Sequence, residues 1–190
     1  MNILDKLFNR NKSPANKTNI QRVEVMNGSP PIFTPFSGDA YSNDIYRSGV
    51  DAIAKNFAKL VPTHVITQAG QRKDGDSTLN YILQTRPNPY MSTYDFLYKM
   101  ATHYYLYNNS FAYIQLDDKG NLQGIYPLSP LSMEFVTDPT GTLYCKFLFS
   151  KGKTFIIEFS QVILLRRFYN SNDLLGDGNR AIRPTLDLAH

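Results

Sequence analysis

The sequence has no tryptophan, one cysteine and three histidines among its 190 residues, and each shortage removes a class of function. A lone Cys145 can form no internal disulfide framework and no metal site built from paired cysteines. It is expected mid-strand among Tyr144, Phe147 and Phe149, where burial raises a thiol pKa and quiets it as a nucleophile. His64, His103 and His190 lie far apart, in an expected strand, an expected helix and the terminus, with no visible partners for ligand or triad work. Residues 176–178 (GDG) follow a strand but lack the Lys-Ser/Thr pair of a phosphate loop and the third glycine of a dinucleotide turn. The run 73–76 (KDGD) lacks the ligand spacing and closing glutamate of a calcium loop, so it reads as a turn. No stretch approaches the roughly 20 apolar residues that span a bilayer. Residues 1–8 (MNILDKLF) place Ile3, Leu4, Leu7 and Phe8 at helical spacing, yet lack the continuous apolar core and cleavage site of a signal peptide. The expectation is an intracellular protein with no catalytic residue, no metal ligand and no cofactor.

What is present suits one folded core. Hydrophobic residues make up 42% and charged residues 19%, ordinary for a globular domain. Tyrosine (13) and phenylalanine (12) are plentiful, as in a β-rich core with wet edges. The net charge of +4 sits entirely at the start: Lys6, Arg10, Lys12, Lys17 and Arg22 stand against Asp5 in the first 22 residues. The rest balances. Residues 1–40 therefore read as a flexible basic arm and linker rich in Asn, Lys, Ser, Pro and Gly, with a weak strand candidate at 23–26. A folded domain is expected over 41–190. A basic arm admits an alternative reading, a small nucleic-acid-binding module, although a solvated tail accounts for the charge as well.

The stretch 86–130 organises the remainder. Pro87 and Pro89 hold an extended approach, and Ser92 or Thr93 caps a helix over 93–107 with Asp95 at the positive end of its dipole. Tyr94, Leu97, Tyr98, Ala101 and Tyr105 make one apolar row and Phe96, Met100, His103 and Tyr107 a second; Asp95, Lys99 and Thr102 are left as a polar stripe. A helix so apolar is expected to be covered on most sides. Asn108 and Asn109 tolerate the left-handed helix end. A hairpin follows: Phe111, Tyr113 and Gln115 point one way, Ala112, Ile114 and Leu116 the other, and 117–121 (DDKGN) turns into 122–126. The aromatic pair Tyr104-Tyr105 and Tyr98 could stack bases, but basic residues are not interleaved with them, so core packing is the reading.

Ahead of this centre, Ser42 or Asn43 caps a helix over 44–60 with Ile45, Val50, Ile53, Ala54, Phe57, Leu60 and Val61 on its apolar side and Arg47, Asp51, Lys55 and Lys59 opposite. Pro62 ends it. A short strand (63–67), a polar loop (68–76) and a short helix (78–84) lead into Arg86. Beyond the centre, 126–130 (YPLSP) breaks regular structure, and strands are expected at 133–136, 143–149, 154–159 and 161–168, with turns at 138–141 and 151–153. Arg166 and Arg167 point to opposite faces, one to solvent and the other to a carboxylate or partner. Residues 170–179 form a loop and 181–190 begin something helical. The fold class is α+β, helices packed on a largely antiparallel sheet with hairpins and a meander.

The order of these motifs resembles the phage portal family of tailed bacteriophages. The matching features, over about residue 42 to the end, are a helix ending in proline before a short strand (IYRSGVDAIAKNFAKLVPTHV), an Arg-Pro-Asn element (LQTRPNP), an aromatic helix, an Asn-aromatic hairpin start (NNSFAY), Gly120 in the turn, the PLSP exit, and the late VILLRRF and LLGDGN. Asn108 stands where the family usually has glycine, which a left-handed cap tolerates. The resemblance is to the N-terminal wing part alone, with the stem, clip and crown of longer members absent. It implies a structural, non-enzymatic component of the head-tail connector vertex through which DNA is packaged and ejected. It further implies subunits in a closed ring, typically of twelve, with capsid protein, terminase and head-tail adaptor as partners and the virion as location after assembly in the host cytoplasm. A wing without channel-lining elements is expected to be monomeric or weakly associating alone, and no residue is assigned to DNA contact.

Overall fold

Helix α3 (Thr93–Tyr107) is fixed at both ends by its sequence, and the other elements are arranged about it. Ser92 is the cap: its hydroxyl accepts from the Asp95 amide at 3.2 Å while the Asp95 carboxylate accepts from the Ser92 amide at 3.1 Å, a reciprocal box that satisfies two first-turn donors. At the other end Asn108 adopts φ 57°, the left-handed conformation expected there.

The computed structural model describes residues 21–22, 32–34, 41–170 and 173–178. In chain order these give β1 (Gln21–Arg22), β2 (Ile32–Phe33), α1 (Asp44–Phe57), β3 (Val65–Gln68), β4 (Gln71–Asp74), α2 (Ser77–Gln84), α3, β5 (Asn109–Leu116), β6 (Leu122–Leu128), β7 (Ser132–Thr137), β8 (Leu143–Leu148), β9 (Thr154–Glu158) and β10 (Val162–Arg166). The fold is α+β with every described strand pair antiparallel. Among the described residues there are three sheets where one was expected: β10-β5-β6, β1-β7-β8-β9 with β2 also on β7, and the small β3-β4 pair.

Strand β5 lies at the middle of the molecule, and its alternation shows why. Phe111 and Tyr113 face the second sheet and join a core with Tyr126, Leu128, Met133, Phe135, Phe147 and Ile157. Ala112, on the opposite side, joins Met100 of α3, Ile82 of α2 and Ile125 of β6. A strand covered on both faces is apolar on both faces, so the layers run α1, α3, first sheet, second sheet. Helix α1 packs on α3 through Val50 and Ala54, with Ala58 just beyond its end, all buried.

Several boundaries move. Helix α1 ends at Phe57, three residues short of expectation. Residues 68–76 are a hairpin where a loop was expected: β3 and β4 pair across Ala69 and Gly70, both at positive φ (50° and 75°), as a two-residue mirror-type turn requires. The YPLSP segment does not break the structure at Tyr126, because β6 runs to Leu128 with Pro127 opposite Ala112. Strand β6 is an edge, where a proline costs no ladder bond on the open side. Thr102, placed in the polar stripe, is buried and its hydroxyl donates to the Tyr98 carbonyl at 2.8 Å, which a threonine inside a helix can do. Ahead of residue 41, β1 and β2 pair with β7, and Phe33 enters the core edge-on to Phe111 at 5.0 Å. The strand candidate at 23–26 and the helical readings of 1–8 and 181–190 fall outside the described residues.

Candidate interaction surface

The residue types that do chemistry are dispersed or occupied. Cys145 is fully buried in β8, and burial pushes its thiol up to about 12. His64 lies just before β3, its Nδ1 accepting from the Asp76 amide at 3.0 Å. His103 packs near the Tyr107 ring at 5.8 Å, and burial, with the charge of Lys99 adding to it, pushes its pKa down to about 4. His190 is outside the described residues. Asp74 and Asp76 of the KDGD run end a strand and cap α2, Asp76 accepting from the Leu79 amide at 2.7 Å. Among the described residues no group of His, Cys, Asp and Glu converges to hold a metal ion, and no helix is long and apolar enough to cross a membrane.

The motifs that stand out in the sequence prove to be pins between distant pieces of backbone. Asn88, buried, donates to the Ile125 carbonyl at 2.7 Å and accepts from the Tyr90 amide, while the Ile125 amide donates to the Pro87 carbonyl at 2.7 Å. The Arg-Pro-Asn element thereby covers the open edge of β6. Asn109, also buried, clasps Gly176: its Oδ1 accepts from the Gly176 amide at 2.8 Å and its Nδ2 donates to the Gly176 carbonyl at 3.0 Å. Asn108 donates to the Asp177 carbonyl at 2.7 Å, and its own carbonyl accepts from the Arg167 amide at 2.9 Å. A Cβ at position 176 would lie 2.3 Å from the Arg167 carbonyl oxygen and 2.4 Å from that of Asn108, so the backbones approach this closely only at glycine. Thus Gly176 and Asp177 are locked onto the NNSFAY start, Gly176 onto Asn109 67 residues earlier.

The tyrosines offered as base-stacking candidates are engaged in packing. Tyr98 donates to the Asp51 carboxylate at 2.7 Å and Tyr46 to the Tyr105 carbonyl at 2.8 Å, which ties α1 to α3. Asp51 also pairs with Lys55 at 2.6 Å; the Lys55 ammonium, then the Tyr98 hydroxyl, hold its pKa below the usual carboxylate value. Tyr104 and Tyr105 meet edge to face at 5.3 Å. One arginine was expected at solvent and the other on a carboxylate or partner; Arg166 is exposed, and both lie over rings, Arg166 over Tyr169 at 4.3 Å and Arg167 over Tyr105 at 4.7 Å and Phe168 at 4.3 Å. Stacking on a ring suits the planar guanidinium.

What the structure leaves open is an apolar surface that periodicity assigned to the core. Ile45 is 78% exposed, Ile53 43%, Leu60 54% and Val61 67%. Of the expected apolar side only Val50 and Ala54 are buried within α1, small residues that let it sit close on α3. Phe57, half-buried, leads from the exposed stripe into a cleft of about 620 Å³ lined by Ala101, Tyr104 and Tyr105 of α3, Leu164, Leu165 and Arg166 of β10, and Tyr169. The β3–β4 hairpin adds a second projection, with Ile66 45% exposed and all of Gln71–Asp74 exposed.

Comparison with known proteins gives a consistent set. The family model described as phage portal protein matches residues 45–189. Three similar solved structures are a chain of the virion of a native gene transfer agent particle (15% identity, TM-score 0.61, covering 78% of this chain and 39% of that one), a chain of the neck of an empty such particle computed with C6 symmetry (18%, 0.63, 88% and 47%), and a chain of the neck of the native particle computed with C12 symmetry (15%, 0.61, 85% and 44%). This chain therefore spans less than half the length of these structural relatives. No curated protein matches its sequence.

Proposed function

The chain belongs to the phage portal protein family, and from that premise we propose that it serves as the wing part of a portal subunit, a structural component of the head-tail connector vertex. The observation that carries the reading is the family match over residues 45–189, most of the described fold. Its proposed role is shape and placement, without catalysis of its own, as the family match suggests.

The proposed partners are further portal subunits in a closed ring, with capsid protein, terminase and a head-tail adaptor contacting the assembled ring. A ring requires two different surfaces on every subunit, and the exposed side of α1 with Ile45 and Ile53, continued past its end by Leu60, offers one of apolar character. The C6 and C12 symmetries under which the similar neck chains were computed accord with a cyclic arrangement. The nucleic-acid alternative rested on the basic residues of 1–22, nearly all outside the described residues, and no observation favours it.

Quantitative mass spectrometry of purified particles tests the reading: the chain should be present at roughly the copy number of one ring per particle, and its absence would overturn the proposal. Measured alone in solution, the chain should be monomeric or weakly associating; a stable ring of this chain by itself would refute that part.

A further inference from the structure

The stack of layers ends in two outer faces, the α1 side and the outer face of β7, β8 and β9, and each exposes apolar side chains. On the helical side the stripe through Ile53 leads by way of Phe57 into the cleft that Arg166 and Tyr169 also line. On the sheet side the register sets the pattern. Met133 and Phe147 are buried between the sheets and Phe155 packs against them. Their neighbours Glu134, Lys146 and Ile156, aligned across β7, β8 and β9, therefore point outward, with Ile32 of β2 opposite Glu134. Lys146 and Glu134 pair at 2.5 Å in the middle of this row. Around the pair Ile32, Leu148 and Ile156 are exposed, an apolar ridge whose central charges already answer each other.

The two faces also differ in the charge they leave unanswered. Arg166 donates to the Leu174 carbonyl at 3.1 Å and lies over Tyr169, and among the described residues it has no carboxylate at ion-pair distance. A guanidinium carries five N–H donors, so one such bond leaves most of its capacity open. Glu158 is exposed at the end of β9, the edge strand of its sheet. It accepts from the Ser160 hydroxyl at 2.6 Å and has no cation at ion-pair distance among the described residues. Either face meeting its own copy sets like charge against like. Each meeting the other sets Arg166 against Glu158, and rim charges of this kind fix register and exclude wrong pairings more than they add affinity.

We propose that the β8–β9 outer face of one copy seats against the cleft of a second copy of this chain, Ile156 and Leu148 covering Phe57 and Tyr169 while Glu158 meets Arg166. The two surfaces are different and lie at opposite ends of the layer stack, so the contact is head to tail and repeats from copy to copy. The inference rests on the reading of the chain as a ring subunit, and supplies the second surface that such a subunit needs.

Disulfide trapping of the full chain in a Cys145→Ser background tests it, because trapping accumulates even a weak complex. Tyr169→Cys chain mixed with Ile156→Cys chain should form the mixed disulfide at least fivefold faster than either homodisulfide. It should also outpace, by as much, the mixture of Tyr169→Cys with Lys119→Cys in the β5–β6 turn. A chain carrying both Tyr169→Cys and Ile156→Cys should give a ladder beyond the dimer. Dominant homodisulfides, or a rate no greater than that of the Lys119→Cys mixture, would overturn the proposal. Should the cysteine variants fail to fold, sedimentation of Glu158→Arg and Arg166→Glu chains decides. Each alone should associate at least threefold more weakly than wild type, and their mixture, in which only one pair of faces matches, should stop at dimers. Unchanged association in both single reversals would overturn the contact. Failure of these tests with the chain present at one ring per particle would remove this contact and leave the portal reading standing, whereas absence from particles would remove the reading itself.

Discussion

Asn109 shows how a residue with no chemistry can still be indispensable. Its side-chain amide satisfies both backbone groups of Gly176 where water is excluded. Asn109→Ala leaves a buried N–H and C=O unpaired, and about 1–3 kcal/mol for each such group predicts a loss of roughly 2–6 kcal/mol. The urea midpoint should fall with its slope little changed; a change below 0.5 kcal/mol, of the size expected for Asn121→Ala in the exposed turn, would contradict the clasp. His103 gives a prediction with a sign. Its folded pKa of about 4 lies below the ordinary 6.5, so the unfolded chain takes up the proton first. The stabilisation from keeping His103 neutral is complete above about pH 6.5 and is lost as pH falls toward 4. Wild type should lose stability across that window more steeply than His103→Leu, by about 1–3 kcal/mol at pH 4, and parallel curves would rule this out. The lowered carboxyls of Asp51, Asp95, Asp117 and Asp138 give way in a separate window, from near pH 4 downward.

At the scale of elements, α1 separates two meanings of an apolar position. Ala54 is fully buried and Ile45 is 78% exposed, although period alone ranks the isoleucine as the better core residue. Ala54→Leu should therefore cost about 1–3 kcal/mol through overpacking against α3, whereas Ile45→Glu should stay within about 0.5 kcal/mol. Chemical denaturation of the two variants decides it, and a large loss in Ile45→Glu would mean that α1 is turned the other way. The same helix marks how far the sequence was legible. Helix α3, its capping box and the β5–β6 hairpin follow from local signals, since a cap, a left-handed Asn and a tight DDKGN turn act within a few residues. The rotation of α1 does not, because it depends on which side chains α3 presents across the interface. The β3–β4 hairpin was hidden for another reason. Its first strand was expected from Val65 and Ile66, but β4 (QRKD) is wholly polar and exposed and is reached through an Ala-Gly turn, so neither alternation nor apolar content announces it. Of the interaction surface, the residue types are legible in the sequence and their exposure is not.

At the scale of the whole molecule, the second sheet recruits chain from ahead of α1. The composition of residues 1–40 argues for a linker, yet two short strands pair with β7, and Phe33 is 6% exposed in the core beside Phe111 and Tyr107. Such a contribution is invisible locally, since two residues carry no periodicity, and the pairing joins positions about a hundred apart in sequence. It has an energetic consequence. If β2 merely rested on a finished sheet, truncating Phe33 would cost little. If the ring fills space between the sheets, Phe33→Ala should lose the transfer energy and leave a cavity bounded by Phe111, worth about 3–5 kcal/mol. A double-mutant comparison with Phe111→Leu isolates the contact, because the two rings meet at 5.0 Å. The combined loss should depart from the sum of the single losses by more than 0.5 kcal/mol, as residues in contact do. Strict additivity would place Phe33 outside the core and return the segment ahead of residue 41 to a linker.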